Sequence, residues 1–140
     1  MGTSIRAVIE YQEFKSGGFT AVATAHLLRD HQVFSAIALG DGGITDGLPY
    51  PPRGVPKDLS SEARDICLNP ERREYDDVKA LAQDTYGHGW LNFGELLVAL
   101  RSGGLGHDEL RAEYRAVVAA MRALADSYGP ERVRLVFCFD

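Results

Sequence analysis

Apolar and polar positions near the start of the chain alternate with the two-residue period of a strand. Ile5, Ala7, Ile9 and Tyr11 fall on one side and Ser4, Arg6, Val8 and Glu10 on the other. Phe14-Lys15-Ser16-Gly17-Gly18 interrupts the pattern with two glycines suited to a tight reversal, and Phe19 to Thr24 resumes it. So short a connection predicts an antiparallel hairpin. The period then lengthens to that of a helix. Val33, Phe34, Ile37 and Ala38 follow Asp30, a residue type that caps helices, and precede Gly40, a common terminator. From Asp41 to Pro56 glycine and proline are too dense for either regular structure, which predicts a long loop.

Ser60, followed by Glu62 and Ala63, predicts a short helical turn towards Leu68, ended by Asn69-Pro70. Tyr75, Val78, Leu81 and Ala82 suggest a weaker helix over 71–83. Tyr86-Gly87-His88-Gly89-Trp90-Leu91 reads as a glycine-flexed segment that delivers two aromatics and a histidine together. Asn92 and Glu95 have capping-box spacing, so a helix is expected from Phe93 to Arg101 with Leu96, Leu97 and Leu100 inward. The clearest helix runs from about Asp108 to Tyr128, where Leu110, Tyr114, Val117, Val118, Met121, Leu124 and Ala125 form one stripe. Gly129-Pro130 stops it. Val133 to Phe139 is a nearly continuous apolar run of strand length, as expected of a central strand covered on both faces. The expected fold is a single α+β domain spanning 1–140. It has a sheet of three or more strands, with the opening hairpin and the last strand adjacent to the first, packed against helices.

Composition supports a folded chain: at 140 residues, 45% hydrophobic and 25% charged, it lies far from the disordered class. Cys67 and Cys138 are the two cysteines, without metal-ligand spacing, so neither a disulfide framework nor a zinc site is expected. The N-terminus has no export signal or membrane anchor pattern, which implies a cytoplasmic protein. The net charge of −5 argues against direct nucleic-acid binding, and residues 58–84 carry −4 of it. Asp58, Glu62, Asp65, Glu71, Glu74, Asp76 and Asp77 therefore form a candidate partner-binding surface that would steer towards a basic protein.

No phosphate loop, dinucleotide fingerprint, nucleophile elbow or zinc-protease helix is present, so no cofactor is expected. Two features could line a pocket. His88 lies between glycines, beside Tyr86 and the single tryptophan, Trp90. Asp140 follows the predicted central strand, where side chains emerge as the sheet ends. Both have bland readings as well, His88 as a packed histidine and Asp140 as a frayed end.

Four pieces of the chain, in order, resemble segments of an uncharacterised family of phage and prophage proteins. They are Met1-Gly2-Thr3-Ser4-Ile5-Arg6, Pro52 to Ser60, His88-Gly89-Trp90-Leu91, and Val133 to Asp140. Members of that family typically begin Met-Gly-Cys-Asp-Ile-His, carry a Pro-Arg-Gly-Leu-Pro loop and a His-Ser-x-Ser-Trp-Leu segment, and end in an apolar strand with Phe-Asp-Asn. In the family the opening Cys, Asp and His, with a later His and Asp, look suited to metal-assisted hydrolysis. Here Thr3, Ser4 and Arg6 stand in those places, and a guanidinium repels a metal instead of holding it. The resemblance thus implies a scaffold without the metal chemistry, hence no catalytic or metal-binding residues. The resulting expectation is a non-catalytic phage or mobile-element protein that inhibits a host protein. An anti-CRISPR-type inhibitor, acting on a nucleic-acid-binding defence protein with a basic surface, is its most concrete form. The alternative is a metal-assisted hydrolase or nuclease using His88, Asp140 and Glu10 around a pocket that Arg6, Tyr86 and Trp90 would help to line.

Overall fold

The alternation at the start of the chain becomes strand β1, Ile5–Tyr11, which turns back at Phe14–Gly17 into β2, Thr20–Leu27. The structure is a computed structural model and describes residues 4–15, 17–39, 48–51, 53–67 and 86–139. The predicted helix over 71–83 and the terminators Gly40 and Asn69-Pro70 lie outside the described residues. Asp30 caps the next element as expected, its Oδ1 accepting from the amides of Gln32 at 3.1 Å and Val33 at 3.2 Å. That element is α1, His31–Phe34, which widens into a π-helical turn over Ser35–Leu39.

Helix α2, Ser61–Cys67, starts where Ser60 Oγ accepts from the Ala63 amide at 3.2 Å. Strand β3, Tyr86–Asn92, leads directly into α3, Phe93–Ser102, through the capping box. In that box Glu95 N donates to Asn92 Oδ1 at 2.9 Å, and Asn92 N donates to Glu95 Oε1 at 3.0 Å. The long helix α4 is Ala112–Tyr128. It begins four residues later than predicted because His107–Glu109 make a 3-10 turn and Leu110 takes an extended backbone that buries its side chain. Gly129, at φ +94°, ends α4, and β4, Val133–Phe139, closes the described chain.

The four strands form one antiparallel sheet in the order β2-β1-β4-β3. The hairpin, the pairing of first with last strand and the central position of β4 agree with the pattern of the sequence. Every residue of β4 is buried, because the sheet is covered on both faces. On one face Ile5, Ala7, Ile9, Leu135, Phe137 and Phe139 pack against α1, α3 and α4, through Val33, Ile37, Leu96, Leu100, Tyr114 and Met121. On the other, Val8, Val136 and Cys138 meet Leu59 and Ala63, with Val55, Ile66, Ala21 and Trp90 around them. This second, smaller core lies beneath α2 and the segment before it.

Candidate functional site

Alternation along β1 and β4 sends Glu10 and Arg134 to the second face, and the strand register sets them opposite each other. Both are buried, and a buried ion must be paired and hydrogen-bonded to persist. Arg134 Nε donates to Glu10 Oε1 at 2.7 Å. Its Nη1 donates to Asp58 Oδ1 at 2.9 Å and its Nη2 to the Asp58 carbonyl at 3.2 Å. The second Glu10 oxygen accepts from the Ser60 amide at 2.8 Å. The Phe19 ring lies 3.6 Å from the guanidinium carbon, adding a cation–π contact. One strand pair thereby fastens the Asp58–Ser60 turn, and with it the start of α2, to the sheet.

A second fastening lies at the other end of that segment. Arg53 makes two parallel bonds to Glu95, one of them Nη1 to Oε1 at 2.8 Å. The guanidinium carbon lies 4.5 Å from the centre of the Trp90 ring and 5.4 Å from that of the Tyr50 ring. The hydrogen bonds from Arg53 hold the Glu95 carboxyl below the usual range and raise the guanidinium in turn. Gly54, at φ +78°, then donates its amide to the His88 carbonyl at 3.0 Å. Glu95 thus serves the α3 cap and the loop clamp together.

The described pocket candidates lie towards one end of this framework. Arg6 pairs with Cys138 in the register. His88 lies in the irregular stretch of β3 between the pairs Tyr86–Phe139 and Gly89–Phe137, beside the level of Cys138. Arg6 and His88 therefore share one end of the sheet. His88 is buried, with 8% of its surface exposed. Its backbone is incorporated into β3, and its carbonyl accepts from Gly54. Trp90 is half-buried, one level along, paired with Val136. Glu10 lies beyond it, separated from Arg6 by the apolar level of Val8 and Val136. Tyr86 contributes its backbone to β3, and Asp140 is outside the described residues.

Of the partner-binding candidates, Asp58 has its carboxylate tied to Arg134, and half of the side chain is exposed. Glu62 and Asp65 are exposed on α2. Glu71, Glu74, Asp76 and Asp77 are outside the described residues. Sequence reasoning did not identify Arg53, Glu95 or Arg134 as members of a polar framework. Only the capping spacing of Asn92 and Glu95 signalled part of it. It also missed a hollow of about 300 Å³ between α3 and α4. Leu97, Leu100, Leu105 and Leu110 line that hollow, with Arg101 and Arg122 at its rim.

Among the described residues, no group of three or more His, Cys, Asp and Glu is placed to hold a metal ion. No helix among them is long and apolar enough to cross a membrane. No protein-family model, curated protein or solved structure matches the chain.

Proposed function

We propose that this chain is a non-catalytic binding protein that occludes a protein partner through an acidic surface centred on α2. The observation that carries this reading is the state of Glu10. A general base must reach substrate, yet Glu10 is completely buried with one oxygen on Arg134 and the other on the Ser60 amide. The polar residues of the second face thus hold α2 in place, and α2 in turn presents Glu62 and Asp65 to solvent. These two acids belong to the segment 58–84, which carries most of the net negative charge. A partner with a basic surface, such as a nucleic-acid-binding groove, has the matching chemistry. The resemblance to phage proteins makes a bacterial defence protein the most concrete partner, and inhibition of it the most concrete outcome.

The test is capture from bacterial lysate with the immobilised protein, comparing the parent with Glu62→Lys/Asp65→Lys. A specific protein retained by the parent, lost from the variant and released by raised salt is expected. Equal capture by both proteins would move the interface elsewhere. A rise in melting temperature with manganese, zinc or magnesium, accompanied by hydrolysis that His88→Ala abolishes, would replace binding with catalysis.

A further inference from the structure

Helices α3 and α4 run back along each other. Arg122, in the second half of α4, has its guanidinium carbon 5.2 Å from the centre of the Phe93 ring, which opens α3. Between the two helices is the hollow of about 300 Å³. Helical spacing sets its walls: Leu97, Leu100 and Arg101 share one face of α3, and Arg115, Val118 and Arg122 share one face of α4. The connecting loop closes one end. There the Leu105 amide donates to the Leu100 carbonyl at 2.8 Å, and Arg115 Nη1 donates to the Leu110 carbonyl at 2.8 Å. These bonds fix the end of the hollow in place, as a preformed binding site requires. Leu100, Leu110 and Val118 also border a void of about 20 Å³, next to Tyr114 and Val117. The side chains of the two helices therefore do not fill the space between them.

Apolar walls alone suit any apolar group, and charge narrows the choice. The four ionisable residues that line the hollow, Arg101, His107, Arg115 and Arg122, are all basic, in a chain where 20 acids outnumber 15 lysines and arginines. Arg115 is half-buried, whereas Arg101 and Arg122 are exposed. Among the described residues, none of these three arginines is paired with a carboxylate: Arg115 engages a carbonyl and Arg122 a ring. The nearby acids sit at the loop. Asp108 takes His107 Nδ1 at 3.4 Å, and Glu109 lies against Gly106, where a Cβ would meet its Oε2 at 2.7 Å. An anion entering the hollow is thus drawn to the arginines and away from the loop. Guanidinium groups beside leucines match a molecule with an anionic end and an apolar body.

We propose that this hollow binds a small amphipathic carboxylate, its hydrocarbon against the leucines and its anionic end on the rim arginines. Size sets the length. At roughly 30 Å³ per non-hydrogen atom, about 300 Å³ holds an acid of about eight carbons. The site lies on the opposite face of the sheet from α2, so it is independent of the partner surface that helix presents.

Octanoate is the probe. Calorimetric titration of the intact protein is expected to give one saturable site with a dissociation constant of about 0.1 mM. Amide shifts in ¹H–¹⁵N spectra are expected to be confined to residues 97–110 and 115–122, which border the hollow. From butanoate to octanoate, affinity is expected to rise about threefold per added methylene. 1-Octanol, with the same chain and no charge, is expected to bind about tenfold more weakly or worse. Arg101→Gln/Arg122→Gln changes two exposed side chains. It is expected to weaken octanoate about tenfold while leaving 1-octanol binding and the melting temperature of the free protein nearly unchanged. Absence of saturable binding up to about 10 mM, or shifts that map elsewhere on the protein, overturns the proposal. So does 1-octanol binding as tightly as octanoate, or a double variant that keeps full octanoate affinity, because either result removes the arginines from recognition.

Discussion

The charged side chains of the second face divide into those the fold requires and those it leaves to solvent. Arg134 bridges Glu10 and Asp58 while almost wholly buried, so removing it strands a carboxylate away from water. Arg134→Met is expected to lower unfolding free energy by about 3 to 5 kcal/mol in urea titrations. Asp58→Asn, at a half-exposed carboxylate, is expected to cost about 1 kcal/mol or less. The Arg53–Glu95 pair sets a pH dependence. The folded-state pKa of Glu95 is lowered, so its contribution is present above the ordinary carboxylate range and fades as pH falls through the depressed value. A Glu95→Gln variant is therefore expected to lose stability less steeply on the acid side than the parent, as thermal melts across pH would register. Tyr114, whose hydroxyl donates to the Leu28 carbonyl at 2.6 Å, has its pKa raised chiefly by burial.

At the scale of elements, close approaches decide which substitutions are tolerated. Gly18, with open space around it, is expected to accept alanine with little change in melting temperature. A Cβ on Gly89 would lie 3.1 Å from Phe137 Cζ, inside the main core, so Gly89→Ala is expected to destabilise by about 1 to 3 kcal/mol. The same glycine explains why β3 was not legible in the sequence. Gly87 and Gly89 lower strand propensity and blur the two-residue period, and only pairing with β4 makes the segment extended. Elements specified by local chemistry were legible: the Asp30 cap, the Asn92–Glu95 box and the apolar run of β4. The Glu10–Arg134 pair was not, since it joins residues 124 positions apart and depends on a register that no local signal encodes. Asp58, a partner-contact candidate from its charge, also bonds to Arg134 of that pair.

For the molecule as a whole, the strand order sets a gradient of stability. β1 and β4 are flanked on both sides and covered above and below, whereas β2 has a neighbouring strand on one side only among the described residues. Native-state hydrogen exchange is expected to find the slowest amides in β1 and β4. The central place of β4 also bears on how the chain matures during translation. Until residues 133–139 leave the ribosomal tunnel, the opening hairpin and β3 lack the strand that both pair with, and each exposes apolar surface that awaits a late arrival. Nascent chains halted before Val133 should exert no folding tension on an arrest sequence and should depend on chaperones, whereas chains carried past Phe139 and clear of the exit should pull sharply.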